Sequence, residues 1–192
     1  MLLDTPHGPA QVHLNMVEGA SRVLVLGHGA GGGVGAPDLK AATETANDAG
    51  VSVVLVEQPY RVAGRKSPAP APQLDAAWIA VCAQLPVAGL QVLVGGRSSG
   101  ARVACRTAGE VGAAGVLCLA FPLHPPGRPE KTRLPELEAV TVPVLIVQGE
   151  SDPFGMPPEA PGRTVVRLRG NHSLRSDVNG LRAAVRQFVE ST

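Results

Sequence analysis

The chain has 192 residues, with 17 Lys and Arg against 16 Asp and Glu, for a formal net charge of +1. That length suits one domain with a sizeable core, residues 1–192, and the scattered charges leave no basic face for nucleic acid and no acidic tail. No apolar run approaches a membrane span and Met1-Leu2-Leu3-Asp4-Thr5-Pro6 is no signal peptide, so a cytoplasmic protein with no membrane or nucleic-acid partner is expected.

Strand and helix patterns alternate along the chain, which predicts a mostly parallel sheet covered on both faces, a three-layer α/β sandwich. Leu2 to Thr5, a turn at 6–9 and Ala10 to Val17 read as an N-terminal antiparallel hairpin. In its second strand Val12, Leu14 and Met16 alternate with His13 and Asn15, as in a half-exposed strand. The apolar run Arg22 to Leu26 opens into Gly27-His28-Gly29-Ala30-Gly31-Gly32-Gly33. A helix from about Asp38 to Ala49 follows, with Asp38 as N-cap and Gly50 as stop. The strand Val51 to Glu57 leads into a Pro-rich loop, Pro59 to Pro72, and a helix from about Gln73 to Leu85. On that helix Leu74, Ala77, Trp78, Val81 and Leu85 share one face.

The run Gln91 to Val94 ends in Gly95-Gly96-Arg97-Ser98-Ser99-Gly100, followed by a helix to about Ala108 and a strand from Gly115 to Ala120. The segment from Phe121 to Val140 is too short to fold as a separate cap. Strands at 142–147 and 164–168 and a helix from about Ser176 to Glu190 complete the chain, the helix aligning Val178, Leu181, Val185 and Phe188. Cys82, Cys105 and Cys118 are an odd number in apolar stretches without Cys-x-x-Cys spacing, so buried free thiols are expected.

Gly96-Arg97-Ser98-Ser99-Gly100 fits G-x-S-x-G between a strand and a helix, the setting in which the pattern forms a nucleophile elbow. A serine on so tight a turn needs nearly side-chain-free neighbours two residues either side, which Gly96 and Gly100 supply; centring on Ser99 would put Arg97 where a small residue belongs. An acid and a histidine then follow, in the chain order serine, acid, histidine that accompanies such an elbow. The strand at 142–147 ends in Gln148-Gly149-Glu150-Ser151-Asp152-Pro153, and the strand at 164–168 ends in Arg169-Gly170-Asn171-His172-Ser173. Open parallel sheets place their sites at such strand ends. Either Glu150 or Asp152 can orient His172; Asp152 is favoured because Asp-Pro follows the turn directly.

Acyl transfer passes through an oxyanion that needs fixed donors, and here they map to the backbone N–H groups of Ala30 and Ser99. The glycine-rich loop is not a phosphate cradle, because Gly-Lys-Ser/Thr never follows. His28, Tyr60, Arg61, Arg65 and His124 are assigned to the surface that meets substrate, arginine there being suited to gripping a carboxylate. For His28 a loop-shaping hydrogen bond, and for Arg97 bracing of the turn, are the competing roles. Asp177 is expected to support the first turn of the last helix.

The whole chain resembles small α/β-hydrolases of the dienelactone-hydrolase-like kind, in particular predicted hydrolases typified by testis-expressed protein 30 and regulatory subunit 3 of the NSL acetyltransferase complex. The resemblance is carried by GHGAGGG at 27–33, QPYRVAGRKSPAP at 58–70, GGRSSGARVA at 95–104, FPLHPPGRPEKTR at 121–133, VQGESDPFG at 147–155 and GNHSL at 170–174. Many relatives carry Asp immediately before the histidine, where this chain has Asn171. The resemblance implies a serine-hydrolase fold and a triad of Ser98, Asp152 and His172. The short segment at 121–140, where many relatives insert a cap, leaves an open pocket that favours a small acyl substrate, and the chemistry requires no cofactor or metal. The competing class is a catalytically silent protein of the same fold that serves as a complex subunit; the intact set of serine, acid, histidine and donor loop argues against it.

Overall fold

A computed structural model describes residues 1–192. Eight strands form one sheet: β1 (Leu2–Leu3), β2 (Ala10–Asn15), β3 (Arg22–Gly27), β4 (Ser52–Glu57), β5 (Gln91–Arg97), β6 (Gly115–Leu119), β7 (Val144–Gly149) and β8 (Arg163–Leu168). Their order is β1-β2-β4-β3-β5-β6-β7-β8; β1 and β2, and β2 and β4, pair antiparallel, and every other pair is parallel. The chain adds β4 on one side of β3 and then crosses to add β5 on the other. That reversal makes the carboxyl ends of β3 and β5 the switch point, where open α/β sheets bind their ligands.

Strand side chains alternate between two cores. Val23, Val25, Val54, Val94 and Ile146 face one side with Trp78 and Val103, whereas Leu24, Leu26, Val53, Leu93 and Leu145 face the other with Leu39 and Phe188. The helices thus fall into two outer layers. α3 (Ala71–Gln84) and α4 (Ser99–Thr107) cover the first face with the short α5 (Leu134–Glu138); α1 (Pro37–Asp48) and α6 (Val178–Ser191) cover the second. On α3, Leu74, Ala77, Trp78 and Val81 are buried at helical spacing, each large one contributing about 1.5–3 kcal/mol by leaving water. Asp177 caps α6, its carboxylate accepting from the N–H of Gly180 at 2.8 Å.

Several expectations need correction. The loop at 59–72 begins with a helical turn, α2 (Pro59–Val62), because Pro59 presets the first helical position. Leu14 and Met16 are 41% and 48% exposed, since β1 pairs only with Ala10 and Gln11 and leaves the rest of β2 as the sheet's rim. Asp38 is not the N-cap of α1. Ala36 holds that position, and Asp38 lies inside the first turn, accepting from the N–H of Leu39 at 2.9 Å. As expected, Cys105 and Cys118 are buried free thiols; their sulfurs lie 3.5 Å apart, the hydrogen bond between them and burial both pushing the Cys118 thiol upward. Cys82 is also free; burial pushes its thiol up to about 12.

Candidate functional site

β5 ends against β3, with Gly96 opposite Gly27 in register. A side chain at Gly96 or Gly100 would bring its Cβ to 2.5 or 2.4 Å from the carbonyl oxygen of Gly27, so only glycine permits this approach. Between the two, Ser98 takes φ 51° and ψ −107°. A non-glycine residue in that region costs on the order of 1–3 kcal/mol and persists only where its surroundings hold it. Here the Ser98 N–H donates to Leu119 O at 2.9 Å, and Ser98 O accepts from Arg102 N as α4 begins. The other non-glycine residues with positive φ, Ala120 and Leu174, follow β6 and β8, so backbone strain gathers at this end of the sheet. Neither Ala30 N–H nor Ser99 N–H has an acceptor within the protein.

The loops after β7 and β8 bring an acid and an imidazole to the same place. His172 Nε2 lies 3.0 Å from Ser98 Oγ, and His172 Nδ1 lies 2.8 Å from Asp152 Oδ2. A carboxylate only accepts, so Nδ1 carries the hydrogen and Nε2 presents a lone pair to the hydroxyl. The Asp152 side chain is 1% exposed and fully hydrogen-bonded. Its Oδ1 accepts from Phe154 N at 2.8 Å, and its Oδ2 accepts also from Gln148 Nε2 at 2.8 Å. Glu150 is exposed and makes no contact with His172; the structure pairs the histidine with Asp152.

Residues 20–176 match the model of the alpha/beta hydrolase domain family. The chain belongs to the alpha/beta hydrolase family. No curated protein matches it. Among solved structures the hydrolase is similar to XC6422 from Xanthomonas campestris, an α/β serine hydrolase without lid, at 21% identity and TM-score 0.79, covering 100% of this chain and 93% of that one. It is also similar to Est1E from Butyrivibrio proteoclasticus, solved with ferulic acid bound, at 18% identity and TM-score 0.78, covering 100% and 98%. A third similar structure is the dienelactone hydrolase from Anabaena variabilis, at 17% identity and TM-score 0.75, covering 99% and 94%. These likenesses carry the fold. In this chain residues 120–140 form a loop and the single short helix α5, and no cap intervenes.

Two residues around Ser98, Asp152 and His172 escaped sequence reasoning. Gln148, fully buried at the end of β7, directs Nε2 at Phe121 O, Asp152 Oδ2 and Gly155 O, at 3.1, 2.8 and 2.9 Å. With three acceptors on that side, the amide cannot be flipped. A glutamine closing an otherwise apolar strand run was the available signal. Phe154 stacks on the His172 imidazole with ring centroids 4.3 Å apart, and nothing in the spacing of Asp-Pro-Phe foretold it.

Of the residues assigned to the substrate surface, His28 is corrected. It is 3% exposed, its Nδ1 donates to Gly29 O at 2.8 Å and its Nε2 accepts from Gln58 N at 3.1 Å, so no ring nitrogen is left for substrate. Burial lowers its pKa and keeps it neutral. Tyr60 is buried as well and donates its hydroxyl to Ala30 O at 2.8 Å, bracing the loop after β3; burial raises that hydroxyl's pKa. His124 binds Pro125 O through Nδ1, and its ring packs on Gly155 beside the acid loop. Arg65 is exposed and Arg61 half-buried; neither pairs with a carboxylate, and Arg61 Nη1 reaches only Arg65 O, at 3.3 Å. Asn171 accepts from Ser173 N and Ser173 Oγ, closing the turn that follows His172.

Proposed function

We propose that the protein is a serine hydrolase that cleaves a small ester, thioester or lactone through an acyl-enzyme on Ser98. The observation that carries the reading is the unbroken chain Ser98 Oγ, His172, Asp152, with links of 3.0 and 2.8 Å. Ser98 Oγ attacks the substrate carbonyl carbon as its proton passes to His172 Nε2, a base suited to neutral pH. The oxygen that gains charge is held by the N–H groups of Ala30 and Ser99. The tetrahedral adduct collapses, the bond to the leaving group breaks, and the leaving group takes the proton from His172. Water then attacks the acyl-enzyme, gives its proton to His172 and releases the acid, the proton returning to Ser98. Asp152 holds the proton on Nδ1 and stabilises the imidazolium.

The motifs at 27–33, 58–70 and 95–104 support placing the chain with the testis-expressed protein 30 and NSL-subunit type of hydrolase, with a small acyl compound as its partner. Est1E holding ferulic acid and the dienelactone hydrolase support carboxylic esters and lactones as the substrate class. With no cap above Ser98, the pocket is open and suits short acyl groups. Arg61 and Arg65, lacking acidic partners, are the groups for a substrate carboxylate. Hydrolysis of p-nitrophenyl acetate by the wild-type protein and its loss in Ser98→Ala tests the proposal; equal rates in both would overturn it.

A further inference from the structure

We propose that Arg97, paired with Asp38, is a positioning residue that holds the donor loop of Ala30 and the loop of His172 at fixed places around Ser98; this rests on the serine-hydrolase reading. One guanidinium touches three segments. Its Nε forms an ion pair with Asp38 Oδ2 at 2.9 Å, the N–H not aligned on the oxygen. Its Nη2 donates to the backbone carbonyl of His172 at 3.1 Å. Its Nη1 lies against Gly29, close enough that a Cβ there would sit 2.9 Å away.

Each contact bears on the site. Arg97 immediately precedes Ser98, so its side chain is anchored to the elbow itself. Gly29 immediately precedes Ala30, one of the two proposed oxyanion donors. The carbonyl held by Nη2 belongs to the histidine that must meet Ser98 Oγ. Asp38 fixes the guanidinium from below: its side chain is 1% exposed, its other oxygen accepts from Leu39 N, and it lies in the first turn of α1, where negative charge is favoured. Burial raises the Asp38 carboxyl above its ordinary value, and the charge of Arg97 offsets only part of that rise. Lysine cannot substitute, because a compact ammonium lacks the planar fork that reaches three directions at once.

A purely structural ion pair and a positioning pair differ in what neutralising both partners restores. Arg97→Gln leaves Asp38 buried and unpaired, which is strongly destabilising, whereas Arg97→Gln with Asp38→Asn removes both charges. The test measures melting temperature, kcat and KM on p-nitrophenyl acetate, and the rate of Ser98 modification by a fluorophosphonate, in wild type, R97Q, R97K, D38N and R97Q/D38N. We expect R97Q/D38N to melt closer to wild type than R97Q does. Its labelling rate and kcat should still fall about 100-fold, as a displacement near 1 Å does, with KM changed by less than about twofold. R97K, which keeps its charge against Asp38 but loses the tie to the His172 carbonyl, should fold with kcat and labelling rate below wild type and at or above those of R97Q/D38N; it carries the test if the double variant does not fold. Recovery of wild-type labelling and kcat in R97Q/D38N, or in R97K if that alone folds, would overturn the inference while leaving the hydrolase reading intact. Absence of labelling in the wild type would overturn that reading, and the inference with it.

Discussion

Replacing Asp152 by Asn removes the charge of the acid while keeping its shape. The two oxygens of Asp152 face three donors, Phe154 N on one side and Gln148 Nε2 and His172 Nδ1 on the other, all at 2.8 Å. An asparagine amide has one acceptor and one NH2 group, so in either orientation it aims hydrogens at a donor. With its oxygen toward Gln148 and His172 it loses the Phe154 contact and leaves buried donors unmet, at about 1–3 kcal/mol. Reversed, it loses two contacts and drives His172 to the tautomer whose Nε2 carries the hydrogen, which cannot accept from Ser98. The first orientation is therefore preferred, but it leaves the imidazolium without a counter-charge. The reversed orientation gives the wrong tautomer, which in the serine-protease triad lowers turnover about 10⁴-fold, so that figure is the upper bound on the loss. That corresponds to about 5.4 kcal/mol of transition-state stabilisation, well above the expected stability loss. A domain stable by about 5–15 kcal/mol stays folded through such a change. Steady-state kinetics on p-nitrophenyl acetate, beside thermal unfolding followed by circular dichroism, measures both quantities. Activity in Asp152→Asn within about tenfold of wild type, or a larger loss in Glu150→Gln, would refute the assignment of the acid.

Gln148→Leu withdraws two hydrogens from three buried acceptors, and should lower the melting temperature by roughly 5–20 °C and reduce kcat more than it raises KM; calorimetry with steady-state kinetics checks it. His28 is held neutral by burial, so below about pH 6.5 the unfolded chain binds a proton that the folded one resists, and stability falls as pH falls. His28→Gln should flatten melting temperature against pH between about 6.5 and 5; a slope equal to wild type would show that other groups set it. Across p-nitrophenyl esters from acetate to palmitate the rate should peak at short chains, because a methylene contributes up to about 0.8 kcal/mol only where protein encloses it. Arg61→Ala and Arg65→Ala should raise KM for esters bearing a second carboxylate and leave neutral esters alone; unchanged kinetics on both would remove the clamp.

The parallel strands were legible because each is a short β-branched or leucine run ending in glycine or a polar turn, and the site residues stand at those ends. Ser98 was legible from two glycines at fixed offsets, whose need the Gly27 carbonyl explains. Partners set by the fold were less so. Gln148 and Asp152 are four residues apart and share a turn, yet nothing in the spacing says that the amide points at the carboxylate. Asp38 reads as a cap from its position before a helix, and only the crossing of β3 and β5 brings Arg97 to it. His28 resembled a substrate contact because burial cannot be read from a glycine-rich segment; the N–H of Gln58, thirty residues on, claims its free nitrogen. The helices α2 and α5 are one turn each, too short for any periodicity to register.

An activated Ser98 reacts covalently with a phosphorus electrophile that an ordinary serine ignores. Folded protein treated with a fluorophosphonate, followed by intact mass measurement and peptide mapping, should show a single adduct on Ser98, absent from His172→Ala within the same time. An adduct on Ser99 instead, or no adduct on folded wild-type protein, would contradict the account.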